Sequence, residues 1–261
     1  MATSALPRDR FDNMRRYPSS RDPFFSLGPG PLSPAIKALI GTNVGLFFVT
    51  WIFPEIKDIF GLRPSEALWP QLRVWQVLTY MFLHGSISHI LFNMLALWMF
   101  GTELERMWGT RFFVWYYCVV GAAAAISTIL ISAVFPFAAR TFSTTTIGAS
   151  GAIYGLLLAY GLSFPDRPIY MYFVFPIPAK YFVMIMGAIA LLSAVSDSGG
   201  GIAHITHLGG LVAGYAFLRG PRFRPADEVR YRYLRWKMDK ARKKFGVYSG
   251  GRKNNWDKHV H

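Results

Sequence analysis

The sequence predicts an all-α, polytopic membrane protein: a bundle of six transmembrane helices with both termini in the cytoplasm. Three observations carry that expectation. The first is apolar content: 52% of the 261 residues are hydrophobic and only 16% charged, with a mean hydropathy of +0.28, more apolar than a soluble domain of this length. The second is six apolar blocks close to the roughly 20 residues that cross a hydrocarbon core. They run over Ala35–Phe53, Val77–Phe100, Phe112–Phe135, Ile147–Phe164, Tyr181–Val195 and Ile202–Leu218. The third is charge placement. With the N-terminus inside and alternating spans, 24 of the 28 Lys and Arg fall on the inner side, and only Lys57, Arg63, Arg73 and Arg140 fall outside. The positive-inside rule then directs both ends to the cytoplasm.

Taken in order, residues 1–34 form a Pro/Gly-rich leader containing "RDPFFSLGPGPLSP", a poor helix former. It lacks the early apolar core of a cleavable signal peptide, so the first span is expected to act as its own insertion signal. Between spans one and two lies a long aromatic loop, with Trp69 and Trp75 suited to the outer membrane interface. The inner loop "GTELERMWGTR" is short and charged. The segment "FPDRPIYMYFVFPIPAKY" carries four prolines, which exclude one continuous helix, so an irregular connection is expected there. A core over 35–219 is followed by a basic tail, 220–261. Its Leu234, Met238, Ala241 and Phe245 recur at helical steps, the pattern of an amphipathic helix on an anionic leaflet or in solvent. Topology accounts for the net charge of +14, so no nucleic-acid partner is inferred. The single cysteine, Cys118, allows no internal disulfide and is expected to pack within the third span.

The polar residues inside the spans narrow the chemistry. None of the 14 Asp and Glu falls within an assigned span, which disfavours an aspartyl intramembrane protease and carboxylate-driven pumps. There is no HExxH motif, and neither a metal nor a cofactor is expected. The spans instead hold Ser, His and Asn, each costly in hydrocarbon unless it has a partner or a wet cavity. In "LHGSISHILFNML" His89 and Asn93 share a helical face, whereas His84 is expected to point away, toward the outer end. Ser150 lies in "TIGASGAIYG", between Gly148 and Gly151, and His204 and His207 lie in "AHITHLGGLVAGY". Counted from their outer ends, Ser150 and His207 sit at similar depth. Gly151 and Gly155, like Gly210 and Gly214, are four apart and permit close helix approach. The second pair continues the face of His207, which favours His207 over His204 as a partner for Ser150.

A serine hydroxyl needs a base to become a nucleophile, and neutral histidine serves near pH 7. No span offers a third-member carboxylate. Asp197, ten residues before His207, lies in the loop "SDSGGG", so a Ser150–His207 dyad is the expected catalytic unit. His89 and Asn93 side chains, with the Ser150 N–H, are candidate oxyanion donors. Gly148 and Gly151 leave room for a substrate backbone, and Tyr154 can lie over the His207 imidazole. Ser86, Ser88 and His84 are candidates for holding water.

The three motifs "HGSISHILFN", "GASG" and "HLGGLVAG", in that order, resemble those of the rhomboid intramembrane serine proteases over roughly Val74 to Leu218. The resemblance implies Ser150 as nucleophile, His207 as base, His89 and Asn93 in the oxyanion hole, and Tyr154 beside the base. It implies six helices around a cavity open to the outside, and transmembrane proteins in the lipid bilayer as substrates. "ELERMWG" resembles the family's ExR stretch, with Glu105 and Arg106 structural. The family's Trp-Arg pair appears as Trp75-Gln76, a departure that bears on the first loop rather than on the chemistry. Two other readings remain: a non-catalytic rhomboid-like client binder, and a metal carrier using His84, His89, His204 and His207. The loop-poor architecture points to a bacterial plasma membrane. Oligomeric state is not legible.

Overall fold

A computed structural model describes residues 29–68, 70–171, 175–195 and 201–219. The chain divides into a first unit, Met1–Gly214, and a second, Tyr215–His261. In the second, the described residues end the last helix, where the Arg219 guanidinium lies 4.9 Å above the Tyr215 ring. The expectations for Trp69, for Asp197 and for the amphipathic tail with its Leu234, Met238, Ala241 and Phe245 fall outside the described residues.

The first helix, α1 (Pro34–Ile52), begins with Pro34 at its first position, where a missing N–H costs nothing. The loop that follows is not featureless: it contains three single-turn helices, α2 (Ile56–Phe60), α3 (Pro64–Ala67) and α4 (Gln76–Thr79). A 3₁₀ turn, Tyr80–Phe82, ends in an extended Leu83. The second apolar block therefore does not run as one helix from Val77: the single turn of α4 and the 3₁₀ turn break off at Leu83. Its helix starts at Ile87, capped by Ser86, whose hydroxyl accepts the His89 N–H. It runs as α5 (Ile87–Ala96), a π-helical turn at Leu97–Gly101 and α6 (Thr102–Trp108). The helix thus extends eight residues beyond Phe100, through the expected charged loop. This corrects the acidic inventory, since Glu103 and Glu105 lie in a helix long and apolar enough to cross a membrane.

Gly109, at φ +80°, turns the chain directly from α6 into α7 (Thr110–Val134). One face of α7 is buried at Phe113, Tyr117, Val120 and Ala124, the three-to-four spacing of a helix covered on one side. Cys118 is half-buried there. Pro136 stops α7, and the short α8 (Ala139–Ser143) leads to the fourth span, α9 (Ser150–Ser163). At 14 residues α9 is only about 21 Å long, short of a hydrocarbon core. Most of its residues are buried, from Gly151 to Gly161, as befits a helix apolar on all sides and surrounded by others.

The proline-rich connection is regular rather than irregular. β1 (Pro168–Met171) pairs antiparallel with β2 (Phe175–Pro178), Ile169 opposite Ile177. Prolines exclude a helix, but a two-stranded ribbon is all edge, so their missing N–H groups need disturb no ladder. Arg167 pairs with Glu103, and Lys180 Nζ lies 2.7 Å from Asp166, tying the hairpin's base to α6 and α10 (Ala179–Val195). The last helix is α11 (Gly201–Arg219). Among the described residues, three helices are long and apolar enough to span a membrane: Pro34–Ile52, Ile87–Trp108 and Thr110–Val134. Trp51, Phe92, Leu130 and Leu192 project from peripheral helices with more than half their surface exposed. Such apolar belts suit hydrocarbon, not water.

Candidate active site

The site begins with a turn that only glycine tolerates. Gly148 has φ +124°, a backbone region that L side chains rarely adopt. A Cβ there would also stand 2.6 Å from Nε2 of His89. The turn starts α9 at Ser150, in its first helical position. The first-turn N–H groups of Ser150, Gly151 and Ala152 therefore have no carbonyl one turn back to bond, and the helix dipole adds partial positive charge around them.

Against this end of α9 lies α11. A Cβ on Gly210 would stand 1.9 Å from the Gly151 carbonyl oxygen, and one on Gly214 would stand 3.0 Å from Gly155 Cα. The two helices touch backbone to backbone. Tyr116 reinforces the seam from α7, its hydroxyl donating to the Gly155 carbonyl at 2.8 Å. This contact brings His207 over Ser150, with Nε2 and Oγ 2.8 Å apart. Tyr154, one turn after Ser150, stacks on the imidazole with ring centroids 4.2 Å apart and planes 5° from parallel. Ser150 and His207 are both half-buried. His204 meets His207 edge-on at 5.7 Å, and no hydrogen bond joins it to Ser150.

On the α5 side, His89 Nδ1 accepts the Gly85 N–H at 3.4 Å, which leaves Nε2 as the protonated, donating nitrogen beside Gly148. Asn93 is buried and donates one amide hydrogen to the His89 carbonyl at 2.8 Å, keeping its second hydrogen available. His84 departs from expectation. It is fully buried rather than turned to the outer end, its ring 5.0 Å from that of His89. The break in the helix before Ile87 is the reason, because it folds residue 84 back alongside residue 89. Ser86 and Ser88 are exposed and face each other at 3.2 Å.

Several contributors carried no signal in the sequence. The Tyr80 carbonyl accepts the Gly148 N–H at 2.9 Å, and its hydroxyl donates to the Gly121 carbonyl at 2.8 Å. Thr206, next to His207 in α11, bonds Thr128 of α7 at 2.8 Å. Backbone carbonyls are invisible to residue patterns, so only the fold reveals such partners. Among the described residues no group of three or more His, Cys, Asp or Glu is arranged to hold a metal ion.

A hydroxyl within bonding reach of an imidazole, at a glycine turn with free N–H groups, can perform general-base nucleophilic attack and stabilise an oxyanion. Comparisons with known proteins bear on the same stretch. The family model described as the rhomboid domain matches residues 71–220. The chain is 30% identical over 187 residues to rhomboid protein 1, mitochondrial, of Saccharomyces cerevisiae, covering 70% of this chain and 51% of that protein. It is 34% identical over 158 residues to the rhomboid protease GluP of Bacillus subtilis, covering 60% and 27%. With the rhomboid protease GlpG of Yersinia pestis it shares 25% identity over 217 residues, covering 81% and 67%. The chain thus spans about half the length, or less, of the first two relatives. The family match covers more than half of the chain and every side chain brought together around Ser150, so this apolar, multi-helix protein is an integral membrane protein that belongs to the rhomboid family.

Proposed function

We propose that this protein is an intramembrane serine endopeptidase that cleaves transmembrane protein substrates with a Ser150–His207 dyad. The single observation that carries the reading is the 2.8 Å contact between Ser150 Oγ and His207 Nε2, with Tyr154 stacked on the same ring. In the competent tautomer His207 holds its proton on Nδ1, and Nε2 accepts the Ser150 proton as Oγ attacks the scissile carbonyl. The resulting oxyanion is met by the Ser150 N–H, by His89 Nε2 and by the second amide hydrogen of Asn93. Collapse of the intermediate passes the proton from His207 to the leaving amine. An acyl-enzyme remains, and water, activated by the same imidazole, hydrolyses it. Each lost oxyanion donor is expected to cost on the order of 3 kcal/mol in the barrier.

A helical substrate conceals its carbonyls, so its segment must unwind before cleavage. The unwound strand then needs partners for its own amides. Thr146 turns its N–H and C=O to Leu62, at 2.7 and 2.9 Å. In an extended chain successive backbone groups alternate sides, so Thr145 and Ile147, which flank the bridge, are the candidates for receiving an extended substrate as an added strand.

The full reading includes six spans, both termini cytoplasmic, and the bacterial plasma membrane as the setting. The named relatives include bacterial and mitochondrial proteins, so fractionation of the native host is the direct check of the membrane. Topology is tested in a Cys118→Ser background. A membrane-impermeant maleimide is expected to label Lys57→Cys on intact cells, and Lys180→Cys only after permeabilisation.

The chemistry is tested with a fluorophosphonate probe. Covalent labelling of the folded protein is expected to disappear in Ser150→Ala and in His207→Ala. Cleavage of a reconstituted single-span substrate should disappear with it. Cleavage that survives Ser150→Ala in a folded protein rules the dyad out. Client binding without cleavage in both the wild-type protein and Ser150→Ala would instead support a non-catalytic binder.

A further inference from the structure

The loop between the first two long helices does more than connect them. Gly61 approaches the segment before Ser150 so closely that a Cβ would stand 2.5 Å from Thr145 Cγ2. Next to it, Leu62 and Thr146 form an isolated antiparallel bridge through both of their backbone hydrogen bonds. Arg63 then reaches across the gap. Its Nε and Nη2 donate to Thr145 Oγ1 at 3.2 and 2.9 Å, using both lone pairs of that hydroxyl.

Arg63 is itself held. Its backbone N–H donates to Oε1 of the fully buried Gln76 at 3.0 Å, and Gln76 Nε2 donates to the Ile59 carbonyl at 3.3 Å. Nη1 of Arg63 meets Glu66 Oε1 at 2.7 Å, and the other oxygen of Glu66 takes Nη1 of Arg73, also at 2.7 Å. One carboxylate thus lies between two guanidinium groups, with the fork of Arg63 aimed at Thr145. Two positions after Thr146, Gly148 is fixed by the Tyr80 carbonyl.

We propose that Arg63 is a positioning residue for the Ser150 site, and that residues 57–66 together with Arg73 and Gln76 act as a cast for the backbone of residues 145–148. The proposal rests on the reading of Ser150 as the nucleophile. The magnitudes separate this role from simple stabilisation. Partly exposed ion pairs such as these contribute little to folding. A displacement of about 1 Å in a reacting group, by contrast, can cost roughly 100-fold in rate. Gly148 sets the direction of the Ser150 N–H, so slack three residues upstream is transmitted to an oxyanion donor.

The test measures fluorophosphonate inactivation of the full chain in detergent, separating the limiting inactivation rate from the probe's half-saturating concentration. Arg63→Met is expected to lower the limiting rate about tenfold or more, with half-saturation and thermal midpoint little changed. Thr145→Val keeps the backbone bridge and removes only the acceptor, so it should reproduce most of that loss, and the double variant should be no slower than Arg63→Met alone. Arg63→Lys keeps the charge beside Glu66 but not the fork, and is expected to restore less than half of the lost rate. If Arg63→Met fails to fold, Thr145→Val decides. An unchanged limiting rate in folded Thr145→Val overturns the proposal, as does a rate loss that merely tracks a falling thermal midpoint. Ser150→Ala is run alongside: if it still reacts, the reading of the nucleophile has failed, whereas loss of labelling there with full rate in Thr145→Val rejects the cast alone.

Discussion

Two polar clusters sit inside this apolar protein, and they are built on opposite terms. Around Glu105 every valence is used. Its carboxylate accepts the Ser33 hydroxyl, the Ala35 N–H at 3.0 Å, the Ile36 N–H at 3.2 Å and the Thr110 hydroxyl at 2.6 Å. It thereby binds the start of α1 to the α6–α7 turn. Around Ser150 the valences are left open. Neither ring nitrogen of His84 has a protein partner among the described residues, and the same holds for Nδ1 of His204 and of His207. A buried polar group without a partner costs about 1–3 kcal/mol. The first cluster resembles a structural knot, fully satisfied and closed. The second leaves buried ring nitrogens without a protein partner among the described residues. Asn43 Oδ1, Thr102 Oγ1 and Tyr117 Oη elsewhere in the bundle share that trait, so it is the grouping of such atoms beside Ser150 that distinguishes the site.

The largest expected effect concerns the seam that creates the second cluster. Gly210→Ala drives a methyl into the Gly151 carbonyl, so α9 and α11 must separate. A loss of about 3 kcal/mol in stability is expected, together with at least a 100-fold drop in fluorophosphonate labelling. Normal labelling in a stable Gly210→Ala protein would show that the contact does not hold the dyad. Next comes Glu105→Ala, which strands four donors. It should destabilise the fold by about 3 kcal/mol, read from the denaturation midpoint in mild detergent, while the folded fraction labels at the wild-type rate. A slowed rate in that fraction would erase the contrast between the clusters.

His84→Leu sharpens the contrast from the other side. Removing a buried, unpaired imidazole should raise stability by about 1 kcal/mol. It should also slow labelling about tenfold, because the ring edge braces His89. A gain in stability at unchanged rate would make His84 simple filler. The smallest effect is expected at Gly41, where an added Cβ meets nothing within 4 Å. Gly41→Ala should stabilise α1 by about 0.5 kcal/mol with no change in labelling, and it serves as the control for Gly210→Ala.

Much of this was legible before any coordinates. Spacing makes Ser150, Tyr154 and His207 candidates: a hydroxyl and an aromatic ring lie one turn apart on one span, and the face that continues into Gly210 and Gly214 favours His207 over His204, while their roles come from the resemblance of the motifs. The helix covering Ala35 to Ile52 follows from hydropathy. The apolar block beginning at Val77 hides the early end of its first turns, because Tyr80–Phe82 and Leu83 are as apolar as any helix interior, although Gly85 and Ser86 do carry the signal of a helix start. The start at Ile87 is set by Ser86 and by a chain that must turn to place Tyr80 against Gly121 and Gly148. By sequence Glu105 belongs to a charged loop for a related reason: a carboxylate in an apolar helix looks forbidden until its four donors are seen.

The sequence by itself determined which residue types could perform chemistry and on which helical faces they lie, because periodicity and the cost of polar groups in hydrocarbon act within one element. Tertiary structure alone decided which faces meet. The 2.8 Å contact between residues 150 and 207 and the bridge from Leu62 to Thr146 depend on the meeting of segments far apart in the chain, and the burial of His84 depends on the break before Ile87 that folds it against His89. The bridge and the Gly148 turn are fixed by backbone hydrogen bonds, which every residue can make, and glycine pairs that permit two helices to touch do not name which two will meet.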